Sequence, residues 1–462
     1  MGAQDVKQIE AEDLQQNGVD SSSGGQPEKK GFVKLIRNGL SKKGQIVRWA
    51  KKGGLAVLDQ GFFSGANFLV NILLARWLAP KEYGAFAVAL SVFYLLAGFH
   101  TAVLTEPMMV FGAGKYREHF RKYLGMLFWG HWAVSALIAI ALGIAAFVMA
   151  RLDSAAMAQA LAGLAIASPF LLLLWLTRRA PYVEMHPQWA VVGSGVNLLV
   201  TLGGVFLLWR LGLLSSLTGL VLLGAAGAVA SLALLLHIRP QVVGFVGNPN
   251  PRMVLADHRG YGMWSLSIPL LMWVPEGFVY IWLPFWFGLE SSGVVRAYIN
   301  IVAPLLQSVS AASLLLLPYF SKLMMEQGAA VMQKRVAFLL RLLVLVFVPL
   351  AIGFALFRMS IVDIFYGGKY KEFASLLLIL PFLPMGVSFN MVLGSLLRAM
   401  EKINAVFLSY VVTAVVSVIT SLLFIPLWNI YGAVLSMVVA RLTTSVVLFV
   451  FYRRIINVRM RP

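Results

Sequence analysis

The 462-residue chain has no cysteine. Disulfides, thiolate metal sites and cysteine nucleophiles are excluded, and nothing follows about compartment. Charge is scarce: Asp, Glu, Lys and Arg make up 12% of the residues, against about 25% in soluble domains. Acids are the scarcer sign, 19 against 38 bases, for a formal net charge of +19. No P-loop, HExxH or GxSxG with triad partners occurs. What fills the chain instead is apolar: 60% of residues are hydrophobic and mean hydropathy is +0.81. No water-soluble protein of this size hides so much apolar surface, so a soluble enzyme or nucleic-acid binder is ruled out. The composition defines an all-α, polytopic membrane protein.

Residues 1–28 are polar and acid-rich, with the tract Ser21-Ser22-Ser23-Gly24-Gly25, and read as a disordered tail without the apolar content to fold alone. Residues 29–53 interleave Lys and Arg with Phe32, Leu35, Ile36, Leu40, Val47 and Trp49. That pattern suits an amphipathic helix on anionic membrane lipids; a solvated charged run is the alternative. Beyond it, twelve stretches reach the ~17–25 residues a bilayer demands. They group as 54–237 (spans 1–6) and 263–452 (spans 7–12), joined by a cytoplasmic linker at 238–262 and followed by a basic tail at 453–462.

Twelve spans put both termini on one side. With the N-terminal tail inside, 29 of the 38 Lys and Arg fall on the cytoplasmic side, 8 fall outside, and Arg441 lies within a span. Most of the positive charge thus encodes topology. The segments Glu82-Tyr83-Gly84-Ala85 and Ser291-Ser292-Gly293-Val294 echo each other at the second span of each half. Two pseudo-symmetric six-helix lobes are expected, an arrangement common in alternating-access transporters. The outside loops are short, the largest being 358–372, and leave no room for an external catalytic domain; an enzyme is not expected.

Residues 58–90 read LDQGFFSGANFLVNILLARWLAPKEYGAFAVAL; LLPYFSKL stands at 316–323 and LLRAMEKINA at 396–405. With twelve spans in two halves, these segments resemble Wzx-type polysaccharide (O-antigen) flippases of the multidrug/oligosaccharidyl-lipid/polysaccharide (MOP) exporter superfamily, over residues 54–452. The resemblance implies a MATE-like fold in a bacterial inner membrane. It implies that a lipid-linked oligosaccharide, a polyprenyl diphosphate sugar, crosses through a cavity between the lobes. A polysaccharide polymerase and co-polymerase are candidate partners. No cofactor is expected; an H+ or Na+ gradient is the candidate driving force. A cation-coupled multidrug or small-molecule exporter of the MATE type is the alternative.

Such cargo needs a wet cavity with positive charge for phosphate and amides or aromatic faces for sugar, so polar residues within spans are the candidates. Arg441 and Glu276 lie near mid-membrane, either as a structural pair or as cavity groups, Arg441 drawing phosphate and Glu276 serving as partner or coupling group. Asp59, His100 and His131 sit at similar depth in spans 1 to 3, as a coupling-ion site or as packing residues. Arg76 and Arg296, at outer span ends, either snorkel or line the exit path. Asn67, Asn71, Asn300, Gln307 and Asn390 could meet sugar hydroxyls, though helix packing is the better reading of each. Pro269, Pro275 and Pro284 in span 7 mark a hinge or a static kink. The aromatic cluster around them suits an interface belt.

Overall fold

The computed structural model describes residues 27–459 except 246 and 248. It describes side chains from residue 51 to 455, leaving out those at 263, 264, 310, 311, 313–315, 329 and 330 as well. The polar tail expected at 1–28 and the lipid-facing side chains expected at 29–50 lie outside the described residues, apart from helical backbone from Pro27 onward. Residues 1–53 form one unit and Gly54–Pro462 a second.

Among the described residues there is no strand. The helices are α1 (Pro27–Trp77), α2 (Pro80–His100), α3 (Glu106–Ala113), α4 (Phe120–Arg151), α5 (Ala155–Val183) and α6 (Pro187–Arg210). Then come α7 (Ser216–Ile238), α8 (Pro251–Ser265), α9 (Ser267–Leu356), α10 (Arg358–Tyr366), α11 (Phe382–Ala399) and α12 (Ile403–Arg459). Among the described residues, ten helical segments are long and apolar enough to cross a membrane. Closed helices are what an all-apolar chain must form in lipid, where a backbone N–H or C=O finds no water.

Local chemistry sets the ends. Prolines open α2 and α6 at a position where no N–H is needed. Ser215 and Thr218 form a capping box on α7, and Asn250 caps α8 ahead of Pro251. The 90-residue α9 is helical through Pro275 and Pro284 and breaks instead at Gly288 (φ 72°) and Gly328 (φ 74°). Pro269 is only the third residue of α9, where a missing N–H costs nothing. α12 breaks at Asn429 (φ 58°). Each break turns a long helix back on itself.

Three places depart from the spans read in the sequence. Span 2 does not end near residue 104; it passes through a π-helical turn, Thr101–Thr105, into α3. The outside loop at 358–372 carries the helix α10. The linker contains α8, which packs on the π turn.

The buried core is distributed unevenly. At the end bearing the 79, 288, 366–370 and 429 turns, one apolar cluster holds residues of both halves, including Leu74, Tyr83, Phe86 and Leu164 with Val279, Val295, Tyr298 and Tyr366. At the opposite end there are two separate clusters. One draws only on residues 104–254, such as Met108, Tyr123 and Leu234. The other draws only on residues from 320 onward, such as Phe320, Val336 and Leu396. The halves are therefore fused at one end and parted at the other.

The fusion is a glycine crossing. A Cβ on Gly84 would fall 1.9 Å from the Leu289 carbonyl oxygen, and one on Gly293 would fall 3.0 Å from the Gly84 nitrogen. The two glycines matched by the sequence echo thus touch backbone to backbone. Close helix approach of this kind is how membrane helices associate when lipid removes the hydrophobic drive.

At the parted end, α8 is pinned to the N-terminal half. His258 Nδ1 donates to the Val103 carbonyl at 2.8 Å, an oxygen within the π turn, and Tyr123 OH lies 2.6 Å from His258 Nε2. Lys115 Nζ lies 2.7 Å from Asp257, which also accepts from Tyr116. Burial raises the Asp257 carboxyl, but the hydrogen bonds from Lys115 and Tyr116 outweigh it and hold the group below the usual carboxylate range. Burial pushes His258 below the ordinary imidazole range, against the opposing pull of Asp257.

Two predictions follow from this packing. Gly84→Val should overpack the crossing and cost about 3 kcal/mol or more; detergent-extracted protein should show a lower thermal midpoint and less monodisperse material than Gly84→Ala. For α8 the sign is set by the depressed His258 pKa. The open form takes up a proton that the docked form excludes, so docking is complete above about pH 6.5 and weakens as pH falls below it. The hydrogen-exchange protection factors at residues 251–265, corrected for the intrinsic rate at each pH, should be lower at pH 5 than at pH 8, and His258→Gln should flatten that difference.

Candidate functional site

Between the halves lies a cavity of about 710 Å³. Two polar stripes at helical spacing face each other across it. Gln60, Ser64, Asn67 and Asn71 run along α1, and Arg296, Asn300 and Gln307 run along α9. The helices are antiparallel, so Gln60 meets Gln307 at one end (3.4 Å) and Asn71 meets Arg296 at the other (Nε to Oδ1, 3.1 Å). Between them the Asn300 amide donates to the Phe68 carbonyl at 3.2 Å. Tyr94, Trp175, Phe63 and Phe93 add aromatic faces, and Asn197 and Thr201 on α6 add more polar groups. Among the described residues, none lining this cavity is acidic.

Arg296 is the cationic member of the lining and sits toward the fused end, among Val294, Val295 and Ala297 of the shared core. Its guanidinium lies 5.8 Å from the centre of the Tyr94 ring. A second cavity of about 320 Å³, between α2 and the first part of α9, shares Arg296 and Tyr94 and adds Ser91, Met272, Trp273, Glu276 and Tyr280. Arg296 therefore joins an amide-rich space to a smaller one with an apolar, aromatic rim.

The other ionisable candidates are largely spoken for. Arg441 Nη2 pairs with Glu276 Oε1. Glu276 faces the smaller cavity with 44% of its side chain exposed, and Arg441 is 14% exposed. Asp59 is buried and accepts from Arg178 at 3.0 and 3.2 Å, from Tyr182 at 2.6 Å, and from Ser194. Arg178 reaches on to Gln60 Oε1 at 2.9 Å, which ties this ion pair to the rim of the main cavity. His100 and His131 are brought together, Nε2 to Nδ1 at 3.0 Å, fully buried and away from the cavity lining. Arg76 is exposed beside Gly367 and does not line the cavity. Asn390 is used for packing, with contacts to the Arg441 carbonyl (3.1 Å) and Ser445 (2.7 Å). Pro269 packs on Gly98.

Gln60, Tyr94, Trp175, Asn197, Thr201 and Arg178 were not singled out in the sequence. The spacing 60, 64, 67, 71 was the available signal, since four polar residues on one helical face in an apolar span mark a wet surface.

The described residues form an all-helical bundle with a polar, cationic cavity between its two halves. Models of two families, each described as "Polysaccharide biosynthesis protein", match residues 73–375 and 325–461. The chain belongs to the polysaccharide biosynthesis protein family. No curated protein matches it. Among solved structures it is similar to an inward-facing multidrug resistance MATE family transporter of the MOP superfamily, with TM-score 0.68, 14% identity, and coverage of 87% of this chain and 98% of that one. It is similar to the lipid II flippase MurJ in an inward closed conformation, with TM-score 0.63, 14% identity and coverage of 86% and 87%. An outward-facing MATE family transporter scores 0.58 at 14% identity, covering 89% and 95%. The fold is shared with these transporter and flippase structures, and the chain is a multi-pass membrane protein.

The Arg441–Glu276 pair can be tested by a mutant cycle. Arg441→Ala should leave Glu276 without its cation and lower stability by about 1–2 kcal/mol, less than for a fully buried pair because Glu276 is half open. The double change Arg441→Ala with Glu276→Gln should recover the folded amount, measured by size-exclusion of extracted protein. Additive losses would show that the two side chains act separately.

Proposed function

We propose that this protein flips a lipid-linked oligosaccharide, a polyprenyl diphosphate sugar, across the bacterial plasma membrane for polysaccharide biosynthesis. The observation that carries the reading is Arg296, a cation toward the fused end of a cavity whose lining also holds amides, aromatic rings and aliphatic side chains. A guanidinium matches a phosphate oxygen pair, and amides and ring faces suit hydroxyls and the apolar faces of sugars. Membership of the polysaccharide biosynthesis family supports the glycan part of the reading, and the resemblance of the fold to MurJ supports the lipid-linked part. The absence of acids from the main lining, among the described residues, favours an anionic cargo over the cationic drugs of the alternative reading.

In this reading the twelve apolar stretches put both termini on one side, and the distribution of basic residues makes that side cytoplasmic. The parted end then opens to the cytoplasm and the fused end faces outward. Cargo enters between α1 and the middle part of α9, its diphosphate reaching Arg296, and leaves when the fused end separates. A polymerase and co-polymerase on the outer side would receive it.

Arg296→Ala should lower polysaccharide export at least about tenfold, the loss of a charged hydrogen-bonding group, with unchanged protein in the membrane. Arg296→Lys should keep part of the export, because the point charge remains while the fork is lost. The measurement is polymer export and membrane protein level in cells whose own copy is deleted. Full export by Arg296→Ala at normal level would remove the anion-binding reading.

A further inference from the structure

The fused end carries a cation that no sequence motif marks. Lys369 belongs to the turn Tyr366-Gly367-Gly368-Lys369-Tyr370, which follows α10 in the C-terminal half. The turn needs positive φ at Gly367 (60°) and Gly368 (83°), and two tyrosines hold it rigidly to α9. Tyr366 OH donates to the Ala297 carbonyl at 2.6 Å, and Tyr298 OH donates to the Tyr370 carbonyl at 2.8 Å. From this platform the Lys369 ammonium reaches the N-terminal half. It donates to the Ala75 carbonyl at 2.9 Å and to the Leu78 carbonyl, and Tyr370 OH donates to the same Ala75 oxygen at 3.2 Å.

Ala75 and Leu78 close α1. The last carbonyls of a helix have no intrahelical partner and carry the negative end of its dipole. Pro80, which opens α2, has no N–H to offer them. Lys369 therefore caps α1 from the opposite half. The ammonium is half-buried there, and burial pulls it below the ordinary lysine range.

We propose that Lys369 is a latch that holds the two halves closed at this end, and that its release from the α1 carbonyls is required before the cavity opens on that side. The Gly84–Gly293 contact beside it is made of backbone and close packing. The Lys369 contact is polar and joins rigid parts of the two halves, so it separates as a unit once water can solvate the ammonium and the carbonyls. The proposal rests on the transporter reading above, but not on the identity of the cargo.

The natural chain has no cysteine, so Ala303→Cys, in the cavity lining, gives a single labelling site. Its reaction with a membrane-impermeant maleimide added to intact cells reports opening toward the outside. Adding Lys369→Met should raise the labelling rate about tenfold, the weight of one charged hydrogen bond, and Tyr370→Phe should raise it less. Lys369→Arg should keep the slow rate of the parent. If Lys369→Met does not accumulate, Lys369→Gln should accumulate and label fast. An unchanged rate in Lys369→Met at normal membrane level would overturn the latch. So would failure of both Met and Gln variants to accumulate, which would mark a residue the fold needs in every state. Labelling is read without export, so the rate in Lys369→Met decides the latch while export by Arg296→Ala decides the cargo reading, and the two failures give different results.

Discussion

The structure depends on a backbone contact. Where Gly84 meets Leu289 and Gly293, the second helix of one half lies directly on the second part of α9 in the other. Any side chain at either glycine would hold the helices apart. The shared core of Leu74, Phe86, Val295 and Tyr298 gathers around that crossing. At the far end the two halves have separate cores, and this division is what leaves space between α1 and α9. A cavity that can open to one side needs such an asymmetry: a shared core at one end and separate cores at the other.

Keeping polar groups inside a membrane is expensive, and the cavity shows how the cost is limited. Asn67 and Asn71 satisfy their amides on carbonyls one turn back, at 2.9 and 2.8 Å. Asp59 is surrounded by Arg178, Tyr182 and Ser194, and Arg441 by Glu276. Arg296 lines the cavity and is itself held there, its Nε on Asn71 and its guanidinium also hydrogen-bonded to Tyr94 and Tyr280. The same logic recurs at the π turn, where an irregular stretch of α2 is supported by His258 on the Val103 carbonyl.

Much of the fold was legible in the chain. The apolar stretches, the basic residues between them and the echo of Gly84 in Gly293 defined a helical membrane protein in related halves. Arg296, Asn67, Asn71, Asn300 and Gln307, candidates because each is a polar group in or beside an apolar span, line the cavity, although by sequence alone helix packing or snorkelling is the better reading of each. The sequence could not rank them, because depth along a span says nothing about which way a side chain faces. Arg441 and Arg296 looked alike as rare cations within or beside spans; only packing pairs the first with Glu276 and points the second into the cavity. Asp59 looked near enough to the interface to be solvated, yet α5 and α6 close over it. The prolines of α9 suggested a break, but its non-helical backbone lies at Gly288 and Gly328, where positive φ reverses the chain.

By itself the sequence determined the solvent, the helical class and the polar inventory, because these follow from composition and period along one chain. Tertiary structure decided which end is closed, which cation lines the main cavity and which pairs with a carboxylate. It also decided that Lys369, an unremarkable basic residue in a short loop, sits on the carbonyls that end α1, almost three hundred residues away. Those outcomes are distances between groups remote in sequence, set by how helices cross, and no local pattern encodes them.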